Sequence, residues 1–419
     1  MTVLDLGWIR AQFPALLQTL DGHSVVFLDG PGGTQVPGQV IDAIANYLIT
    51  SNANSHGAFA TSIRTDALVA QARSAVADLL GCDADEVVFG ANMTTLTLAL
   101  SRSIGRDLKP GDEVIVTALD HDANVAPWLA LEEQGVTVRT VDIHPDNCTL
   151  DTADLERQIT ERTKVVAIGY ASNAVGTINN IAQVVRLAHA VGAWVFVDAV
   201  HYAPHGLINV RSLDCDFLVC SAYKFFGPHV GILYGKRQHL AQLRPYKPRP
   251  APDQVPYRWE TGTQNFEGLA GVIAAIDYLA ELGRRTSGTT ANRRMALTTA
   301  MVAIQEYERS LSDYLIPKLL EIPGVMIYGI TDRTHFAWRT PTVGLRVAGY
   351  SPSALAKALG DRGIFTWNGN FYALNLTQRL GVESSGGLLR IGCTHYNTPE
   401  EIQRLLHTLH QLVMHPVAA

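Results

Sequence analysis

The sequence predicts an α/β protein: a large domain on a mostly parallel, seven-stranded sheet with helices on both faces, then a smaller α+β C-terminal domain. Three observations lead there. Seven short apolar runs rich in β-branched residues lie between residues 87 and 234, helical stretches separate them, and beyond residue 285 this alternation ends. Runs too short for helices, without polar alternation, are the pattern of strands buried on both faces. At 419 residues, 47% of them hydrophobic, the chain has the length of two or three folding units of ~150 residues and enough apolar surface for a large core.

Taken in order, Arg64 to Leu80 places Leu68, Ala72, Val76 and Leu79 at helical spacing, and Gly81 follows as a C-cap. The strand runs are Val87 to Phe89, Val114 to Val116, Val136 to Val141, Val165 to Ile168, Trp194 to Val197, Phe217 to Cys220 and Gly231 to Tyr234, with a helix at Ile181 to Ala190. Five prolines between Pro245 and Pro256 mark an extended loop, because proline donates no backbone hydrogen bond. Helical patterns from Phe266 to Leu282 and Met295 to Leu315 bracket a Gly/Thr/Ser-rich break at Gly283 to Thr290. The smaller domain then reads as strands at Val325 to Tyr328, Thr342 to Val347, Ile364 to Trp367 and Leu388 to Ile391, a helix near Ser353 to Leu359 and a closing helix from Pro399. The expected boundaries are 17–285 for the large domain and 286–419, with residues 1–16, for the small one.

Composition narrows the function. With 33 Lys+Arg against 39 Asp+Glu, a net charge of −6 gives no electrostatic reason to expect nucleic acid or an anionic membrane as partner. No apolar stretch reaches ~18 residues, and Met1-Thr-Val-Leu-Asp-Leu carries an early acid without a basic flank, so a cytoplasmic protein acting on a small molecule is expected. The five cysteines are scattered and form no CxxC, which predicts neither a disulfide framework nor a metal site.

Ligands of open parallel sheets lie beyond the carboxyl ends of the strands, so polar residues closing each apolar run come first. Asp198 closes Trp194-Val-Phe-Val197; alone it would read as a turn aspartate. Lys224 follows Phe217 to Tyr223 and precedes Phe-Phe-Gly-Pro-His229; surface lysines are commoner, but this one has little solvated sequence around it. Desolvation would lower its pKa toward a nucleophilic amine. The turn Gly90-Ala-Asn-Met-Thr94-Thr95 joins a strand to a helix and offers hydroxyls and free N–H groups to a phosphate, although such residues cap helices everywhere. Together the three match pyridoxal phosphate: a lysine for the imine, a carboxylate for the pyridine nitrogen, and a helix start for the phosphate. The glycine-rich turn Gly30-Pro-Gly-Gly33 lacks the spacing of a dinucleotide loop.

At this point the sequence resembles a family, the class V aminotransferase-fold enzymes, and among them the SUF-type cysteine desulfurases. The resemblance runs from Phe27-Leu-Asp-Gly-Pro-Gly-Gly-Thr34 to Arg390-Ile-Gly-Cys-Thr-His-Tyr-Asn397. It implies a fold-type I transferase with pyridoxal 5'-phosphate as cofactor. It also implies that Lys224 forms the imine and removes the α-proton, Asp198 pairs with the pyridine nitrogen, and His121 stacks on the ring. Thr94, Thr95 and Ser221 would hold the phosphate, with Thr263 reaching in from the second subunit of a homodimer. Asn173 and Arg390 would hold the substrate carboxylate, with His56 nearby.

The pattern departs from the desulfurases in three places. Tyr223 stands where histidine is usual and His201 where glutamine is usual; each keeps a hydrogen-bond donor at the cofactor. The third departure bears on the reaction: the segment Gly363 to Asn375, where desulfurases carry the cysteine that accepts sulfur, contains none. The nearest thiol, Cys393, lies three residues after Arg390 and should face away from it if the strand continues. The expectation is therefore an amino-acid enzyme that removes an α-proton and cleaves a C–S bond of a cysteine-type substrate without a protein persulfide, a lyase reaction. Amino transfer and racemisation or epimerisation are the competing reactions, and a non-catalytic accessory subunit of a sulfur pathway is the competing class. Trp367, Phe371 and Tyr372 in that segment point either to a bulky apolar substrate side chain or to packing of the loop itself.

Overall fold

The apolar runs pair with one another. The computed structural model describes residues 4–290 and 292–415. Its main sheet contains β1 (Val87–Gly90), β2 (Glu113–Thr117), β3 (Thr137–Val141), β4 (Thr163–Gly169), β5 (Trp194–Asp198), β6 (Phe217–Ser221) and β7 (Gly231–Gly235), in the order β1-β7-β6-β5-β4-β2-β3. All are parallel except β7, which runs antiparallel to β1 and β6. Val195 and Val197 of β5 join the core on one face and Phe196 the core on the other. With apolar neighbours above and below, the strand has no polar face to show, and its sequence is continuous rather than alternating.

The long helices of this domain are α1 (Gly38–Thr50), α2 (Ala60–Leu80), α3 (Met93–Gly105), α4 (Ile181–Ala190), α5 (Phe266–Ser287) and α6 (Arg293–Leu320). α2 ends as expected at Gly81, left-handed at φ 76°, whose N–H bonds the Ala77 carbonyl at 2.8 Å. The break after α5 falls later than the sequence predicts, since α5 continues through Gly283 and stops at Gly288. Gly283 is a contact residue rather than a breaker: a Cβ there would lie 1.8 Å from the Ala296 carbonyl oxygen of α6, so its bare backbone lets the two helices touch.

The smaller sheet is antiparallel, in the order β8 (Val325–Tyr328), β9 (Thr342–Val347), β11 (Leu388–Gly392), β10 (Trp367–Gly369), and α7 (Pro352–Gly360) and α8 (Pro399–Met414) share its core. The strand expected from Ile364 to Trp367 is two strands. Ile364–Phe365 pairs in parallel with Val26–Phe27, while Trp367–Gly369 pairs with Leu388–Arg390. Toward the N-terminus, Ile9 and Phe13 sit in the larger core and Val26 and Leu28 in the smaller. α6 serves both: Leu297, Met301 and Ile304 belong to the large core, Leu311, Leu315 and Leu319 to the small one. The carboxyl ends of β1, β2, β4, β5 and β6 consequently open toward β10 and β11, with a cavity of about 470 Å³ between.

Candidate active site

The floor of the cavity is made of strand ends. Asp198, the last residue of β5, is buried; its Oδ1 accepts the Val200 N–H at 2.9 Å, and its Oδ2 makes no hydrogen bond within the described chain. Burial raises its pKa to about 6, against the attraction of Lys224. Lys224 lies on the single turn Ala222–Lys224 that β6 runs into. Its Nζ donates to the Pro31 carbonyl and lies 4.8 Å from the centre of the Tyr223 ring. Burial and the like charge of Arg390 pull its pKa down to about 7, Asp198 and Asp29 opposing. A large share of this amine is thus a free base near neutrality.

The start of α3 supplies donors at the next strand end. Asn92 caps it, its Oδ1 accepting the Thr95 N–H at 2.9 Å, and the Met93 N–H bonds Ser221 Oγ at 3.1 Å. The Thr94 N–H has no partner among the described residues, and the hydroxyls of Thr94 and Ser221 border the cavity. A Cβ on Gly231 would lie 2.4 Å from the Asn92 carbonyl carbon, so glycine is required where β7 passes beneath this helix start. Free N–H groups, two hydroxyls and the positive end of a 13-residue helix form a cradle for an anion.

His121 follows β2. Its Nδ1 accepts the Ala123 N–H at 3.0 Å, which places the proton of the neutral ring on Nε2. Burial, Lys224 and Arg390 lower its pKa to about 4, so it is uncharged at pH 7. His201 also borders the cavity, its Nε2 between Thr340 Oγ1 at 3.2 Å and Thr342 Oγ1 at 3.1 Å, and burial keeps it neutral. Tyr223 lines the same wall, stacked on His229 at 4.8 Å.

Arg390, on β11, closes the side opposite the floor. One of its amino groups donates to the Asn173 carbonyl at 2.9 Å, and its guanidinium lies 4.2 Å from the centre of the Phe371 ring. Its Nε and the Asn173 Oδ1 are buried without hydrogen-bond partners. Burial lowers the Arg390 pKa to about 9, with Asp29 opposing through space. A buried guanidinium with an unused donor and no carboxylate at ion-pair distance among the described residues is a site that a carboxylate ligand completes.

The cavity thus brings together Lys224, Asp198, His121, Asn173, Arg390, Thr94, Ser221, His201 and Tyr223. Three expected residues lie elsewhere on this chain. Thr95 is turned away from the cavity at the third helical position, its hydroxyl donating to the Asn92 carbonyl at 2.9 Å. His56, exposed at φ 69°, sits beside Asp66, and Thr263 is exposed just ahead of α5. Two carboxyls had not been singled out. Asp120, fully buried on the cavity wall, accepts the Gly169 N–H at 2.5 Å and has its pKa pushed up to about 8 by burial. Asp29 lies close enough to interact with both Arg390 and Lys224, and burial raises its pKa to about 6. Each follows an apolar strand, the signal that identified Asp198.

These donors fit pyridoxal phosphate. Lys224 would meet its aldehyde, the unused Oδ2 of Asp198 its pyridine nitrogen, the α3 cradle its phosphate, and His121 the face of its ring. No cysteine borders the cavity; Cys393 is fully buried in the small-domain core beside Ile391, on the side of β11 away from Arg390.

The chain is similar to known proteins over nearly its whole length. The aminotransferase class-V family model matches residues 26–405. A cysteine desulfurase of Dickeya dadantii is 31% identical over 97% of both chains, and the aminotransferase-like protein FGM3 of Gibberella zeae is 33% identical over 97% of this chain and 98% of its own. The apo structure of a cysteine desulfurase from Thermococcus onnurineus NA1 superposes with a TM-score of 0.87 at 26% identity, covering 98% of both chains.

Proposed function

This chain belongs to the aminotransferase class V family of pyridoxal-phosphate enzymes, and from that premise we propose that it removes the α-proton of an amino acid and cleaves a C–S bond without a protein persulfide. The bound cofactor supplies an electrophilic carbon for the substrate amine and an electron sink for the pair left at Cα. Everything else is the work of side chains. Arg390 and Asn173 hold the substrate carboxylate, the first through the fork its unpaired Nε completes. Lys224, with its pKa near 7, accepts the Cα proton as general base and returns it as general acid. Asp198 would keep a proton on the pyridine nitrogen, and His121, neutral, would face the ring without adding charge. Asp29 opposes the effect of burial on both Lys224 and Arg390, favouring their charged forms.

The observation that carries the C–S reading without a persulfide is the lining: two cations face the cavity and no thiol does. The test is a panel of amino acids given to the holoenzyme with sulfide, keto acid and alanine followed together. Sulfide with pyruvate supports elimination. Sulfide with alanine means that sulfur was handed to an acceptor, and absence of sulfide or thiol from every sulfur amino acid ends the C–S reading. The likeness to FGM3 favours a second reading, amino transfer; conversion of the bound cofactor to its amine form, reversed by a keto acid, would establish it.

The enzyme works as a homodimer in this reading. Ile41 and Ile49 on α1, Phe59 capping α2 and Ile63 within it are each more than half exposed, apolar surface suited to a second copy. Thr263 and His56, both exposed and outside the cavity of their own chain, would reach the neighbouring one. A cofactor-saturated monomer in sedimentation would refute this arrangement.

A further inference from the structure

The cavity's roof is the segment from Trp367 to Tyr372, which bears three aromatic rings and no charge. Phe371 and Tyr372 both have left-handed backbones, at φ 56° and 59°. Aromatic side chains rarely adopt this region, and such strain persists only where the surroundings over-determine it. Here they do: the Phe371 carbonyl accepts from the Asn173 amide at 2.8 Å, the Tyr372 carbonyl accepts from the Asp122 N–H at 2.7 Å, and the Tyr372 N–H bonds Asn370 Oδ1 at 3.0 Å.

A loop held this firmly could tuck its rings away, yet Tyr372 stays 70% exposed and Trp367 51% exposed. Both border the cavity. Tyr372 lies parallel to His121 with ring centres 5.3 Å apart, and Trp367 covers Gly32, where a Cβ would come within 2.3 Å of its indole nitrogen. Bare aromatic surface on a fixed backbone at a cavity mouth is a preformed apolar subsite. The charge pattern agrees. Lys224 and Arg390 are the cavity's only lysine and arginine; the cofactor and the α-proton occupy the first and the substrate carboxylate the second, leaving no cation for an acidic side chain.

Building on the C–S reading, we infer that the substrate is a cysteine thioether whose sulfur carries an aromatic or other bulky apolar group, with Trp367, Phe371 and Tyr372 as its subsite. The step balances without an oxidant. Lys224 removes the Cα proton, the Cβ–S bond breaks with its electron pair going to sulfur, and the thiolate takes up a proton and leaves as a thiol. The remaining three-carbon enamine tautomerises and reacts with one water to give pyruvate and ammonium. No enzyme cysteine is needed, because the departing sulfur keeps its own substituent.

The test uses holoenzyme and two measurements. In turnover, S-benzylcysteine should yield benzyl thiol, pyruvate and ammonium in equal amounts, with kcat/KM at least about tenfold above that of cysteine, the lower end of what an apolar contact gives. In binding, S-benzyl-3-mercaptopropanoate, which has a carboxylate but no amine, reads the subsite without chemistry. Its Kd by calorimetry should rise about tenfold in Tyr372→Ala and in Trp367→Ala, a loss typical of an aromatic contact. Both residues are largely exposed, so both variants should fold. Sulfide and pyruvate from cysteine, with no preference for the thioether, would overturn the subsite and leave the C–S reading standing. A probe whose Kd depends on Tyr372, with no C–S cleavage of any substrate, would overturn the reaction and with it the thioether assignment.

Discussion

Asp198 ends β5 with a hydrogen-bonded strand on either side, and Lys224 sits on the single turn that follows β6. Across the cavity, Phe371 and Tyr372 sit on a non-repetitive segment held by three side-chain and backbone bonds and by left-handed torsions. The floor carries the charges: an amine and carboxyls displaced from their ordinary proton affinities by burial, and the positive end of a helix. The roof is neutral and aromatic apart from Arg390, which reaches in from β11. On the proposed function the difference is a division of labour: the strand ends serve the cofactor and the proton chemistry, and the small-domain segment selects the side chain. The same floor can therefore serve several reactions.

The division can be broken first at the floor. Lys224→Ala should abolish borohydride-stable attachment of the cofactor and lower turnover on the order of 10²–10⁴-fold, the range for loss of a general base, with thermal unfolding still cooperative. In the wild type, the rate of cofactor capture should rise as pH increases through about 7, where Lys224 loses its proton, and level off above it. A midpoint near the ordinary lysine value would mean that burial does not tune this amine. At the junction of floor and roof, Arg390→Lys removes the guanidinium fork. One lost charge-assisted hydrogen bond costs about 1.5–3 kcal/mol, so kcat/KM should fall about 10- to 150-fold, mostly through KM. The smallest effect belongs to Cys393→Ala. Turnover should stay within about twofold while stability falls by about 1 kcal/mol, as for an ordinary core truncation. A large loss of turnover would restore a role for a protein thiol.

What could be read from the sequence follows the same division. Thr94 is legible from the turn into α3, and Ser221 only from the family resemblance. Asp198 and Lys224 are legible because a buried strand is a continuous apolar run, and the polar residue closing it stands out. Asp29 and Asp120 carry the same mark and were passed over: Asp29 follows a two-residue strand, and Asp120 stands three residues beyond β2 and next to the more conspicuous His121. Thr95 shows the limit of a motif, since adjacent helical positions are rotated by about 100° and only one of the two threonines can face the cavity. The roof was legible as composition but not as shape. Nothing in Trp-Asn-Gly-Asn-Phe-Tyr announces two successive left-handed residues, because the bonds that hold them come from Asn173 and Asp122, about 200 and 250 positions away in the chain. Gly283 was misread for a related reason: glycine marks a break or a close contact, and only the neighbouring helix decides which.

α6 is 28 residues long, about 42 Å at 1.5 Å per residue, with its leading turns embedded in one core and its trailing turns in the other. A rod anchored at both ends resists hinge rotation, so swinging the small domain as a rigid flap would pull one end of the rod out of its socket. The space between the two cores therefore keeps its width, and a substrate meets the rings at the cavity mouth where the backbone already holds them.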